Sequence, residues 1–248
     1  MRYFIELAYD GTNFHGWQKQ PNAITIQEVL ETCLAKIFQQ KVEVIGAGRT
    51  DTGVHAKHFI AHFDLEKSFK AKDLIYKLNR MLPEAIVVYQ IYPVKADAHA
   101  RFDAISREYK YYISLEKNPF TRDFSCLIPG KIEVDIMNEA CEILKKHTDF
   151  QCFSKVKTDV RTYNCKIEKA DWQKIEDQLI FTIVADRFLR NMVRAIVGTL
   201  LEIGKRKKTL SDLEEILKSK NRSRAGKSMA AKGLFLHKIT YPENLKLN

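Results

Sequence analysis

What most constrains this chain is the order in which its hydrophobic periods alternate. Residues 2–9 alternate as a strand, with Phe4 and Ile5 followed by Leu7 and Tyr9. Ile24, Ile26, Val29, Leu30, Cys33, Leu34 and Ile37 then recur at helix spacing, and Thr25 ahead of Gln27 and Glu28 supplies an N-cap. Short strands follow at 42–45 and, past a glycine-punctuated loop, at 59–65. A helix over 71–82 ends before Pro83, and 86–94, rich in β-branched and aromatic residues, reads as a strand. The order is β-α-β-β-α-β.

The rest of the chain repeats that order with longer connections. A strand over 107–115 puts Tyr109, Tyr111 and Ile113 on one face. A helix over 135–146 takes Asp135 as its cap, 166–174 and 179–185 form a hairpin, and 188–203 is a strongly apolar helix. A helix over 210–218 and a strand over 234–240 complete the pattern. Two such units predict an α+β fold of two βαββαβ-like halves with mainly antiparallel sheets. Strand patterning breaks near Pro93–Ala100, which sets the halves at 1–97 and 98–248. The unit is shared by ferredoxin-like folds and RNA-recognition modules, although the RNP1 octamer of the latter is absent.

Composition removes several classes. With 45% hydrophobic and 29% charged residues the chain is globular, not disordered. No apolar run approaches the ~18 residues of a membrane-spanning helix. Glu6 stands where a signal peptide needs its apolar core, so the expected location is cytoplasmic. Five cysteines without a C-x-x-C pair argue against a disulfide framework or zinc finger, and Cys33 and Cys141 read as core fillers. The net charge of +10 is concentrated: residues 187–232 hold 13 Lys or Arg against four acids, a balance of +9. Such a field attracts nucleic acid, the alternative being a solvated face.

The densest functional signal is Gly46-Ala47-Gly48-Arg49-Thr50-Asp51-Thr52-Gly53-Val54-His55-Ala56. Phosphate-loop readings fail on it, because Val54 and His55 stand where a Walker loop needs Lys and Ser or Thr. Gly226-Lys227-Ser228 has the right ending, but Asn221 replaces the first glycine. A dinucleotide fingerprint fails because Asp51 occupies its third glycine, and a central carboxylate would repel phosphate. His55, His58 and His62 have one-face helical spacing, yet 59–63 looks like a strand and no H-E-x-x-H is present, so no metal site is expected. His15, His99, His147 and His237 stand apart and read as surface or core residues. Two readings of the loop stay open: a tight turn held by an Arg49–Asp51 contact, and a nucleophilic aspartate. A carboxylate can attack a sugar or base carbon if a nearby guanidinium keeps it ionised; Arg49 is the local candidate and Arg194 a distant one. A glycoside hydrolase would need a second carboxylate, and Asp10, beside Gly11, reads more simply as a turn residue.

Five segments, in order, carry a resemblance. Residues 48–56 resemble the catalytic motif of the tRNA pseudouridine synthase A family, and Tyr9 to Gln18 its N-terminal signature. Ala100 to Ala104 followed by Arg107 to Tyr111 resembles its central motif, Phe188 to Arg194 its C-terminal helix motif, and Gly233-Leu234 its closing strand. Thr52 stands where the family usually has alanine, and Glu108 where it commonly has a basic residue.

The resemblance implies the pseudouridine-synthase fold, with two α+β halves around a central cleft, and conversion of uridine to pseudouridine in the tRNA anticodon stem-loop. Asp51 aligns with the nucleophile, Arg49 with an arginine that helps extrude the base, and Tyr109 with the tyrosine placed against the target uracil. Arg194 aligns with a basic residue that pairs with the nucleophile. The resemblance makes Arg190, Lys205 and Arg206, in the basic segment, part of the tRNA-binding surface. It also implies a homodimer. The reaction involves no redox change and no net hydrolysis, so neither cofactor nor metal is expected.

Overall fold

Why the first strands pair as they do follows from their buried faces. In the computed structural model, which describes residues 1–156 and 160–247, β1 (Arg2–Tyr9) buries Phe4, Ile5, Leu7 and Tyr9. Helix α1 (Ile26–Phe38) begins at Thr25, whose hydroxyl accepts the Glu28 N–H at 3.3 Å, as its sequence predicts. Next come β2 (Val44–Gly46), β3 (His55–Asp64), α2 (Ala71–Met81) and β4 (Ile86–Val94). β1 runs antiparallel between β3 and β4, with Phe4 opposite both His62 and Tyr92. β2 pairs with the far end of β3, Ile45 facing His62. The order β4-β1-β3-β2 is that of a ferredoxin-like βαββαβ unit. Fully buried Ile26, Leu30 and Leu34 of α1 belong to its core with Phe59 and Phe63 of β3.

The second compact unit is built from β5 (Ser106–Ser114), β6 (Cys126–Leu127), α3 (Val134–Lys145), β7 (Ile167–Ile175), β8 (Gln178–Ala185), α4 (Met192–Gly204) and α5 (Leu210–Ser219). β8 lies antiparallel between β5 and β7, and β6 runs parallel to β5. Tyr111 and Ile113 on β5, Phe181 and Ile183 on β8, and Met137 and Cys141 on α3 are buried together in its core. Of the thirteen residues of α4, every one but Arg194 and Glu202 is buried. β9 (Leu234–Thr240) is shared: Leu234 and Phe235 belong to this unit, and Leu236 onward lies beside β3 in the first.

Several boundaries differ from the sequence expectation. α4 starts at Met192, not residue 188, because Asn191 takes a left-handed conformation (φ 68°). Phe188 instead packs edge-on against Tyr109, ring centroids 5.0 Å apart. Asp135 does not cap α3; it lies in the first turn, while Glu133 holds the cap position and directs its carboxylate to Arg206. β3 begins four residues before Phe59, and within that stretch buried His55 and half-buried His58 accept backbone N–H groups from other segments. Contacts divide the chain into Met1–Ile105 with Leu236–Asn248, and Ser106–Phe235, whereas the patterning places one break near residue 97. Residues 98–105 stay with the first unit through bonds to its strands: Ala100 N–H donates to His62 Nδ1 at 3.1 Å, and Ile105 N–H to Thr240 O at 2.8 Å. All five cysteines are free thiols, and Cys33 and Cys141 are buried. Among the described residues no helix is long and apolar enough to cross a membrane.

Three histidines of β3 each accept a distant backbone N–H at Nδ1: His55 from Gly11, His58 from Ile239 and His62 from Ala100. Burial, then Arg2 and His99, push the His62 imidazole down to about 4, and burial lowers His58 and His99 as well. An unfolded histidine binds its proton near pH 6.5, so between there and pH 4 the unfolded chain takes up protons that the fold refuses. Stability is full above that window and falls as pH drops through it. His62→Asn keeps an acceptor for Ala100 and removes the titration. Its melting temperature is expected to fall less between pH 7 and 4.5 than that of the wild type, as thermal denaturation will show.

Candidate active site

The loop between β2 and β3 is seated by the segment that follows β1. An ideal Cβ at Gly11 would lie 2.0 Å from Val54 O, and one at Gly16, where φ is +84°, would lie 2.2 Å from Thr50 O. Only glycine lets two backbones approach so closely. Gly53 N–H donates to Phe14 O at 3.2 Å, Gly11 N–H to His55 Nδ1 at 3.1 Å, and the Tyr9 and Thr50 hydroxyls bond at 3.0 Å. Trp17 stacks on Phe59 at 4.1 Å, forming a buried aromatic floor against Gly46. In the sequence Tyr9 to Gln18 reads only as a signature; its part as a brace shows only in three dimensions. Gly48, by contrast, has nothing within 4 Å of a Cβ, so close approach does not explain it.

Asp51 opens the turn that this brace supports. Its carbonyl accepts the Val54 N–H at 3.1 Å, and Gly53 at φ +75° supplies the positive φ that a type II turn requires at its third position. The Asp51 side chain is partly exposed, and Arg49 is exposed on the same loop. Asp10 does form a turn, its Oδ1 accepting the Thr12 N–H at 2.9 Å and the Thr12 hydroxyl at 2.6 Å. Partial burial works against its charge, but those bonds and neighbouring His55 outweigh it and hold the carboxyl below the usual range. Asp10 is thus committed to structure. Among the described residues no group of three His, Cys, Asp or Glu side chains could hold a metal ion.

The second unit carries the other residues singled out. Tyr109 faces Ile183 across the β5–β8 pair and is partly exposed, with Phe188 against its ring. Arg194 donates from Nε to Met229 O at 2.6 Å, while Met229 N–H returns a bond to Arg194 O at 3.1 Å. The Gly226 N–H bonds Thr199 Oγ1 at 2.8 Å, and a Cβ at Gly198 would lie 1.9 Å from Lys227 O. The Gly226-Lys227-Ser228 run is therefore a strap laid along α4. Arg190 and Lys205 flank opposite ends of that helix, about 20 Å apart at 1.5 Å per residue. Arg206 is paired with Glu133, Lys208 with Glu202, Lys220 with Asp149 and Arg224 with Glu215. Glu133 and Asp149 come from outside the basic segment and offset two of its nine net positive charges.

Comparisons with known proteins identify the family. The family described as tRNA pseudouridine synthase matches residues 7–103 and 140–242. The chain is 51% identical to tRNA pseudouridine synthase A of Parabacteroides distasonis over 98% of its own length and 97% of that protein. It is 52% identical to the protein of the same name from Bacteroides fragilis, covering 98% of each. A relative of that name from Bacillus pumilus is 38% identical over 97% of this chain and 99% of its own. The chain belongs to the tRNA pseudouridine synthase family.

The brace makes two expectations. Gly16→Ala is expected to destabilise the protein by about 1–3 kcal/mol and to displace the Asp51 loop, because the new methyl meets Thr50 O. Tyr9→Phe loses one hydrogen bond to Thr50, about 1 kcal/mol. Denaturant titration of both variants measures these losses.

Proposed function

We propose that this chain isomerises uridine to pseudouridine in the anticodon stem-loop of tRNA, with Asp51 as nucleophile. The observation that carries the reading is the Asp51 turn, a partly exposed carboxylate on a loop seated by the close approaches at Gly11 and Gly16. Membership of the family, and relatives named for this activity across nearly the whole chain, support the substrate class.

In this reading the Asp51 carboxylate attacks C1′ of the ribose or C6 of the uracil, and on either route the N1–C1′ bond breaks. The detached base turns, C5 bonds to C1′, the bond to the carboxylate breaks, C5 loses its proton and N1 gains one. Base and sugar atoms are conserved, and no external reductant or hydrolytic water is consumed. Exposed Arg49 helps take the base out of the stack, as enzymes working on a paired base require. Tyr109 stacks on the uracil, and its hydroxyl takes part in removing the C5 proton. The resemblance assigns Arg194 to the ionised carboxylate. It assigns Arg190, Lys205 and Arg206 to phosphates; Arg206 must part from Glu133 to reach one. A homodimer in the cytoplasm completes the proposal, on the resemblance alone.

Tritium release from tRNA labelled at uridine C5 tests the reaction. The wild type is expected to release label to water, and Asp51→Ala to bind tRNA and release none. Release of free uracil would instead indicate hydrolysis, and salt-sensitive binding without release from any unmodified tRNA would leave an RNA-binding protein. Arg190→Gln is expected to lower the slope of log affinity against log salt by about one. Arg206→Gln is expected to lower it by less than one, because Glu133 already holds its guanidinium.

A further inference from the structure

The loop that closes the first unit before β5 is more ordered than a connection needs. Asp103 fastens it from both sides: its carboxylate accepts the His99 N–H at 2.7 Å, and its own N–H donates to His99 O at 3.1 Å. His99 Nδ1 accepts the N–H groups of Arg101 at 3.1 Å and Phe102 at 3.4 Å. Ala100 is tied at both ends, its N–H to His62 and its carbonyl by the Tyr241 hydroxyl. On this scaffold stands Phe102, 74% exposed. Its ring lies 4.3 Å from the His99 ring, tilted by 39°, and the Arg101 guanidinium sits 5.7 Å from its centroid.

A phenylalanine so exposed contributes little to the hydrophobic core, while the alanines on either side, Ala100 and Ala104, are buried. The groups against its ring are the His99 imidazole and the Arg101 guanidinium, and the only other large apolar side chain exposed on residues 98–105 is Ile105. An aromatic face with a cation beside it suits an unstacked nucleobase, which offers a π-face, and the phosphate next to it. The rigid backbone lowers the entropy lost on binding.

We propose that Phe102, with Arg101 beside it, is a stacking platform for one unpaired nucleobase of the substrate tRNA. The inference rests on the reading of this chain as a tRNA-modifying enzyme and adds a contact outside the Asp51 loop.

Equilibrium binding of unmodified tRNA, steady-state tritium release and sedimentation of the full chain test it. Phe102→Ala is expected to weaken tRNA binding about five- to hundredfold. KM should rise, while kcat and the salt slope hold, because no charge is lost. Arg101→Gln should lower the salt slope by about one. Phe102→Trp should restore affinity, and its fluorescence should be quenched by tRNA against the constant background of buried Trp17 and Trp172. Wild-type affinity in Phe102→Ala overturns the proposal. A changed sedimentation coefficient with unchanged tRNA affinity also overturns it, by assigning the ring to a second copy of the chain. If the wild type binds tRNA and releases label, either result counts against the platform alone. If the wild type does neither, the platform and the enzymatic reading fall together.

Discussion

Two backbone contacts without room for a single methyl group govern the first unit. Gly11 lies against Val54 O and Gly16 against Thr50 O, so the loop bearing Asp51 rests directly on the chain that leaves β1. β1 is itself clamped between β3 and β4, and the loop inherits the rigidity of that sheet. A carboxylate on a free loop would spend most of its time misplaced; here its backbone is held by hydrogen bonds and by steric contact at once.

The second unit uses the same device for a different purpose. Gly198 and Gly226 bring residues 225–230 against α4, with Arg222 and Asn191 both bonded to the Ser228 hydroxyl. Tyr111, fully buried, donates to Ala230 O at 2.8 Å, next to the Met229 carbonyl that Arg194 takes. Arg194 is thus a cation on an almost wholly buried helix, with its Nε direction set by the strap.

Legibility in the sequence follows the range of the interactions. Thr25 caps α1 as its spacing predicts, because a cap involves residues three apart. β1, β4 and α2 follow their hydrophobic periods for the same reason. The start of α4 escapes that logic, because Asn191 answers to Ser228, 37 residues away. The histidines of β3 escape it too, since each serves a backbone N–H that is distant in sequence. Asp51 stands out as an acid among glycines, but nothing in residues 46–56 announces that Tyr9, Gly11 and Gly16 hold it. The charge of residues 187–232 is legible as a sum, while its partial cancellation by Glu133 and Asp149 is not.

By itself the sequence determined the α+β class, the order of strands and helices, the nucleophile candidate and, through five ordered motifs, the family. Those depend on local period, residue chemistry and matching along the chain. The tertiary structure alone decided which backbones touch, where the chain divides into units and which cations are already paired. It also decided that Phe102 is displayed rather than buried. Each of these is set by groups that are remote in sequence and meet only once the sheets have formed, and no local period records them.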